Sequence, residues 1–328
     1  MHYRFLPSFR GIALLFLVAM TACQKSADQS TGVLKAAIAS AISMKAAALP
    51  ASPAAVNVAI FTGGDPSATS TLYSDIKAGA YTTVVLWAGH VTATGDLNFN
   101  DSSVVSGGSW VSNTATNAWL SQVQSLKTSS TITRVELSIG GEASTFANIE
   151  SLIKEYGTGT SSPLYKTFSL LHSQLGLDAI DYDDESQYNA SSSEAFAQMC
   201  TSIGMKVSIC PYTNTSYWVS LVKAVNKTKA GTLDAIYLQC YDGGAGNNPA
   251  SWNSSFSSTG LKVCPGLWAM HGSTCTGGST TSQVQTQMAT WEAASPLAGG
   301  FMYNGNEMEG CPVSGSPAQY ATALKNGL

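Results

Sequence analysis

Eight short β-rich runs, at 56–61, 82–87, 133–138, 179–183, 206–210, 236–241, 262–266 and 299–303, restrict this chain to very few folds. Between them lie amphipathic stretches that read as helices, at 118–127, 165–175, 192–203, 217–227 and 284–294. Strands alternating with helices predict a parallel sheet, because parallel neighbours need a long crossover connection. Eight such units in roughly 275 residues match the size of a (β/α)8 TIM barrel. A doubly wound open sheet is the alternative. Against it, no glycine-rich phosphate fingerprint follows the first run.

The fourth run departs from the others by acquiring acids. In Leu177-Asp178-Ala179-Ile180-Asp181-Tyr182-Asp183-Asp184-Glu185 the carboxylates recur at steps of two. On a strand, Asp181, Asp183 and Glu185 then share one face at steps of roughly 7 Å, while Ile180 and Tyr182 take the other. Each carboxylate on a buried face disfavours ionisation of the next. At least one proton is therefore held above the ordinary carboxylate range, as a general acid requires. An acidic surface turn or a calcium loop is the competing reading. The flanking Leu175, Leu177, Ile180 and Tyr182 argue for burial, and no glycine stands at the EF-hand turn position.

The spacing D-x-x-D-x-D-x-E, met by Asp178, Asp181, Asp183 and Glu185, resembles the catalytic signature of glycoside hydrolase family 18, which includes chitinases and endo-β-N-acetylglucosaminidases. The resemblance runs over most of 54–328. Ser138-Ile139-Gly140-Gly141 resembles the family's S-x-G-G, whose small residues leave the barrel mouth open beside the acids. Gln239-Cys240-Tyr241-Asp242 resembles the strand-six segment whose tyrosine holds the substrate's acetamido group. Barrel sites form at the C-terminal ends of strands. Tyr212, Gln239, Asp242, Trp268, Tyr303, Ser138 and Gly140 are therefore the candidate substrate-binding residues, beside Glu185, Asp183, Asp181 and Tyr241 as catalytic candidates.

Two residues depart from the family pattern. Tyr303 stands where chitinases usually place a tryptophan under the −1 sugar, and Asp184 resembles the Asp-Asp-Glu of proteins similar to endoglycosidase H. Phe146-Ala147-Asn148 is reminiscent of the same branch. The resemblance implies retention of configuration without an enzyme nucleophile, an exception to the two-carboxylate rule. Glu185 would protonate the leaving oxygen, the substrate's own acetamido carbonyl would attack C1, Asp183 would orient that amide, and Asp181 would share a proton with Asp183. No cofactor or metal enters this scheme. The partner implied is a GlcNAc-containing glycan or chitin oligomer.

Composition narrows the alternatives. Only 11% of residues are charged and the formal net charge is −4, without a Lys/Arg cluster, so nucleic acid is excluded as a partner. His90, His172 and His271 are scattered, no C-x-x-C occurs, and G-x-S-x-G is missing, which leaves zinc and serine-hydrolase chemistry unsupported. A sugar-binding lectin on the same fold is the rival function; the presence of Glu185 favours an enzyme.

At the N-terminus, His2, Arg4 and Arg10 precede an apolar run at 11–20 that is too short to span a bilayer. Met20-Thr21-Ala22-Cys23 resembles a bacterial lipoprotein signal, with cleavage before Cys23 and acylation of that residue; an ordinary signal peptide is the alternative. The expected organisation is a signal at 1–22, an Ala/Ser/Pro-rich spacer at 23–53 and a catalytic barrel at 54–328. Loss of Arg4 and Arg10 leaves 14 basic residues against 20 acidic, a formal charge of −6. The expected product is a monomer in the cell envelope, at the outer membrane or cell surface and held by the lipid on Cys23, or otherwise secreted.

Six further cysteines occur in a chain where export permits disulfides. Pairing is not fixed by sequence, but Cys275 and Cys311 follow runs seven and eight and can staple neighbouring loops. Cys210 and Cys240 fall inside runs and read as buried thiols. Only 32 residues separate Gly266 from Gly299, too few for the small domain that many processive chitinases insert there. A short, open groove follows, suited to a glycan core or short oligomers.

Overall fold

The structure, a computed structural model, describes residues 56–64, 71–141 and 143–328. The expected signal, spacer and Cys23 lie outside the described residues. Eleven strands form one sheet: β1 (Asn57–Thr62), β2 (Thr83–Val91), β3 (Leu97–Phe99), β4 (Ser102–Ser106), β5 (Ser109–Trp110), β6 (Arg134–Gly140), β7 (Ala179–Asp183), β8 (Lys206–Ile209), β9 (Leu233–Gln239), β10 (Cys264–Trp268) and β11 (Gly299–Tyr303). Eight of them, β1, β2 and β6 to β11, run parallel in chain order. The ring closes where β1 meets both ends, with Ala59 opposite Phe301 of β11 and Thr83 of β2. This is the (β/α)8 barrel the alternation predicts, and closure rules out the open sheet.

Strand parity divides the core in two. One set of alternate residues, including Val84, Leu86, Leu137, Ile139, Ile180, Tyr182 and Ile209, packs outward against the helices. The other set, Ala59, Phe61, Val85, Cys210, Tyr237, Cys264 and Phe301, forms a smaller cluster inside the barrel. On β7 this alternation sends Asp181 and Asp183 inward. The outward Tyr182 hydrogen-bonds Ser193 at 2.8 Å and lies 4.5 Å from the Phe146 ring, centroid to centroid. Those outward contacts fix the register, because a one-residue slip would put both acids against helices.

The preceding helix delivers the chain to β7 at a defined point. Helix Pro163–Leu175 begins with the Ser162 side chain accepting from Tyr165 N and with proline in its first turn. It ends at Gly176, whose φ of 65° is the left-handed conformation glycine adopts cheaply. Two residues later Asp178, the first acid of the motif, accepts from Val135 N at 2.7 Å and pairs with Lys127. Asp178 thus ties the start of β7 to β6 at the foot of the barrel, far along the strand from the mouth.

Three differences from the sequence expectations follow from local chemistry. β2 extends past position 87 and continues as an antiparallel meander through β3, β4 and β5. The run at 236–241 begins earlier, at Leu233, and its pairing ends at Gln239. Cys210 and Cys240 each lie one residue beyond a strand end and are free, as are Cys200 and Cys264. After Cys210 comes Pro211, which has no N–H to continue the ladder.

The expected staple is present: Cys275 and Cys311 form a disulfide with Cα atoms 5.6 Å apart. Between β10 and β11 the chain holds a loop with two isolated bridges and the helix Thr281–Ala294, and no inserted domain. Among the described residues no helix is long and apolar enough to cross a membrane. The residues of the barrel and its helices form one compact unit.

Candidate active site

The C-terminal ends of β6, β7, β8, β9, β10 and β11 carry Gly140, Asp183, Ile209, Gln239, Trp268 and Tyr303, which places the candidate residues around one mouth. Asp181 is fully buried, Asp183 nearly so, and Glu185, just past the strand end, is exposed to solvent. The acid row therefore climbs from the barrel interior to its rim.

Gln239 connects the upper two acids. Its Nε2 lies 3.2 Å from Asp183 Oδ1, 3.2 Å from Glu185 Oε1 and 3.1 Å from the Cys210 carbonyl oxygen. Asn247 in turn donates to the Gln239 carbonyl at 2.9 Å and to that of Tyr212 at 2.8 Å, holding the β9 end against the neighbouring loop. Lower down, Ser138 Oγ donates to Asp181 Oδ2 at 2.8 Å, and Ser208 Oγ lies 3.0 Å from Asp181 Oδ1. Ser138, expected to line the mouth, is fully buried and acts on Asp181 from the opposite position on β6.

These surroundings make ionisation costly. Burial, and then the Glu136 carboxylate, push Asp181 up to about 7, against the opposing pull of Ser138, Ser208 and Arg134. Asp183 is also raised well above the usual carboxylate range, first by burial and then by Asp181 and Glu185, while a hydrogen bond with the Trp87 side chain works the other way. Burial and the neighbouring carboxylates thus favour the protonated form of both side chains. Burial and the neighbouring Cys210 and Asp183 raise Tyr241 as well, so it remains a neutral phenol able to donate.

An aromatic group surrounds the acids. Tyr241 stacks on Tyr303 with centroids 5.2 Å apart and planes at 14°, and Trp87 meets Tyr303 edge-on at 5.4 Å. Trp268 lies 5.9 Å from Tyr241 and 5.5 Å from Tyr303, and stacks on His271 at 4.0 Å. Its Nε1–H is buried with no hydrogen-bond partner among the described residues, which leaves a donor for a bound polar group. Tyr241 follows the end of β9 instead of lying within it, yet its ring still packs against the interior cluster. Tyr212 is half-buried, and its phenol is raised by burial and then by Glu185, Asp183 and Asp242. Asp242 is exposed at the rim, at the start of a short 3-10 turn.

Gly140 has a packing reason for being glycine. Its φ is 127°, and a Cβ would stand 2.2 Å from the Asp183 carbonyl oxygen and 2.6 Å from the Phe146 ring. Any side chain here displaces the backbone that carries Asp183. Asp184 is buried and shapes the next loop: its carboxylate accepts from Ser186 N at 3.0 Å, Gln187 N at 2.8 Å and Tyr188 N at 2.7 Å. Three backbone donors on one carboxylate fix the turn that presents Glu185.

Sequence reasoning missed Trp87, Ser208 and Glu136 as members of this assembly. Two of them carry a readable signal: Trp87 is an aromatic near the end of a barrel strand, and Glu136 shares inward parity with Ser138, although the partners of Glu136 do not show in the sequence.

The closed eight-stranded barrel matches the fold of several solved structures. The catalytic domain of a family GH18 chitinase from the fern Peteris ryukyuensis matches 82% of this chain and 99% of its own length, at 17% identity and a TM-score of 0.55. A fungal endo-β-N-acetylglucosaminidase from glycosyl hydrolase family 18 matches 83% and 99%, at 14% identity and a TM-score of 0.57. A chitinase from Bacteroides thetaiotaomicron matches 83% and 97%, at 12% identity and a TM-score of 0.55. At these identities the similarity establishes a shared fold. No protein-family model matches the chain, and no curated protein does.

Proposed function

We propose that this chain is a retaining glycoside hydrolase that cleaves β-1,4 linkages at GlcNAc by substrate-assisted catalysis. The observation that carries the reading is the row of acids formed by Asp181 and Asp183 on the inward face of β7 and Glu185 just past its end, with Gln239 bridging the upper two at 3.2 Å each. Neighbours of the same fold include chitinases and an endo-β-N-acetylglucosaminidase, and one cycad chitinase was solved in complex with (GlcNAc)3.

Each residue takes a role its setting supports. Glu185, at the solvent-facing rim, protonates the glycosidic oxygen and later activates water. Asp183 turns toward the 2-acetamido group, whose carbonyl attacks C1, and stabilises the oxazolinium charge that forms. Tyr241 donates to the acetamido oxygen and keeps it in line, an electrostatic contribution of about 3 kcal/mol in a water-poor site. Asp181 shares a proton with Asp183. The Tyr241, Tyr303, Trp87 and Trp268 rings supply apolar faces for the sugar, and Tyr212 and Asp242 are assigned to binding the rest of the substrate.

For the substrate, we favour endo-acting cleavage within the GlcNAc-β1,4-GlcNAc core of a branched glycan over non-processive cleavage of chitin oligomers. The short β10 to β11 connection supports an open groove. The loop-forming hydrogen bonds of Asp184 give that residue a local structural task, so its likeness to one branch carries less weight than the groove does. The export and lipid attachment expected at Cys23 complete this reading as an envelope-anchored enzyme acting on external glycans. Incubation with a high-mannose glycoprotein and with a ladder of chitin oligomers tests the preference. One GlcNAc left on each asparagine supports it, and oligomer cleavage without glycoprotein cleavage overturns it.

A further inference from the structure

Below Asp181 lies a carboxylate that this mechanism does not use. Glu136 of β6 is fully buried inside the barrel, two residues before Ser138, and β6 pairs with β7 so that Ser138 stands opposite Asp181. Its Oε1 accepts from Arg134 Nε at 2.5 Å and from Tyr237 OH at 2.7 Å. Arg134 is itself held by a two-pronged pair with Asp234 at 2.9 and 2.8 Å. The other oxygen, Oε2, meets Ser208 Oγ, the same hydroxyl that lies 3.0 Å from Asp181 Oδ1.

A serine hydroxyl has one hydrogen, and here two carboxyl oxygens compete for it. One carboxyl receives it, and the other must bring a proton of its own. Glu136 already has a guanidinium and a phenol as donors, so it is the ionised partner and takes the Ser208 hydrogen. Asp181 is then the acid: its Oδ1–H donates to Ser208 Oγ, while Oδ2 accepts from Ser138. Every polar atom in the chain Asp181, Ser208, Glu136 is satisfied in this arrangement, and the Arg134 guanidinium against Glu136 favours it over the reverse one, in which the charge would sit on Asp181. The charged and titratable groups facing it are Arg134 on β6, Asp183 on β7, Cys210 after β8, Tyr237 on β9 and Cys264 on β10, with Asp234 behind Arg134. Of these only Arg134 is cationic, and Asp234 engages both of its terminal nitrogens.

We propose that Glu136 is a positioning residue for the reaction: through Ser208 it holds on Asp181 the proton that Asp181 would otherwise share with Asp183, so that the carboxyl beneath Asp183 stays uncharged. The proposal rests on the glycosidase reading for its consequence in rate, but the proton's place is a property of the resting protein. No bond to substrate is involved. The proton stays on Asp181, in its hydrogen bond to Ser208, and Glu136 fixes it there.

Two measurements on the full chain separate this from the functional reading. Infrared titration of the native protein should show the C=O stretch of a buried protonated carboxyl still present at about pH 6, where free carboxyls have ionised, and Asp181→Asn should remove it. Ser208→Ala, which removes the acceptor, should shift that band; absence of the band, or an unmoved band, refutes the link even if the protein hydrolyses nothing. In the second measurement, Glu136→Gln removes the neighbouring charge, so the alkaline limb of kcat against pH should move toward acid by about one unit while KM is retained. A loss of kcat equal at every pH would make Glu136 a structural residue only and overturn the proposal. A native protein without hydrolytic activity would sink the functional reading and leave the infrared result to decide this one.

Discussion

Replacing Asp181 with asparagine should make the protein more stable at alkaline pH while reducing its activity. Burial and Glu136 raise Asp181 from 3.8 to about 7. Between those values the folded chain keeps a proton that the unfolded chain has released. Folding stability therefore falls as pH rises through the window and is fully reduced above about 7. Three units at ~1.4 kcal/mol each give a cost of about 4 kcal/mol for this one carboxyl. Asparagine reproduces the hydrogen bonding of the protonated acid, with Nδ2–H donating to Ser208 Oγ and Oδ1 accepting from Ser138, and it has no charge to bury. Urea unfolding at intervals from about pH 4 to about pH 8 provides the test. At the acid end the two proteins should be equally stable, and toward pH 8 the variant should gain by up to about 4 kcal/mol. Parallel stability curves, or a variant that is weaker at pH 8, would refute the assignment of a costly buried acid at this position.

Further outcomes are expected elsewhere in the chain. Asp184→Ala deprives three backbone N–H groups of their acceptor; it should cost about 1–3 kcal/mol in thermal unfolding and lower kcat more than it changes KM, because the loop carrying Glu185 loosens. Gly140→Ala should reduce activity sharply, because its Cβ would meet the Asp183 carbonyl at 2.2 Å, and an unchanged kcat would contradict the packing argument. Reducing the Cys275–Cys311 bond, whose partners are 36 positions apart, should lower stability by about 3 kcal/mol without abolishing the fold. For the N-terminal segment, labelling with a palmitate analogue should tag the protein and Cys23→Ala should remove the tag. Unlabelled protein recovered from the medium would indicate an ordinary signal peptide.

Much of the barrel was legible because its strands obey simple alternation. β7 and β11 match their predicted limits of 179–183 and 299–303, since apolar residues or inward acids mark every position. β9 was misplaced because Asp234 near its start reads as a turn residue, whereas here it is a strand residue paired with Arg134. The β3 to β5 meander is not legible in the sequence, because Ser102–Ser106 and its neighbours are short and rich in serine and asparagine. Helix Ala143–Tyr156 was hidden by the glycines just before it, although Phe146, Ile149 and Leu152 are spaced for one buried face.

The site shows the same division. Glu185, Asp183, Asp181, Tyr241, Gln239, Trp268 and Tyr303 could be named because a spacing motif or a strand end marks them. Ser208 and Glu136 depend on which strands become neighbours across the barrel, and a linear sequence does not display that. The motif puts Ser138 at the mouth because it gives order along the chain, while depth along the barrel axis comes only from register. Asp184 resembled a specificity marker until its three backbone partners gave it a local task.

The central claim is that Glu185 supplies the proton and the substrate supplies the nucleophile. It is tested most directly by following the first-formed anomer during cleavage of a GlcNAc oligomer by proton NMR, with native protein and with Glu185→Gln. The account predicts that the native protein releases the β-anomer first, by net retention, and that the folded variant loses about 10²- to 10⁴-fold in rate. An α-anomer appearing first, or near-native turnover by Glu185→Gln, would contradict it.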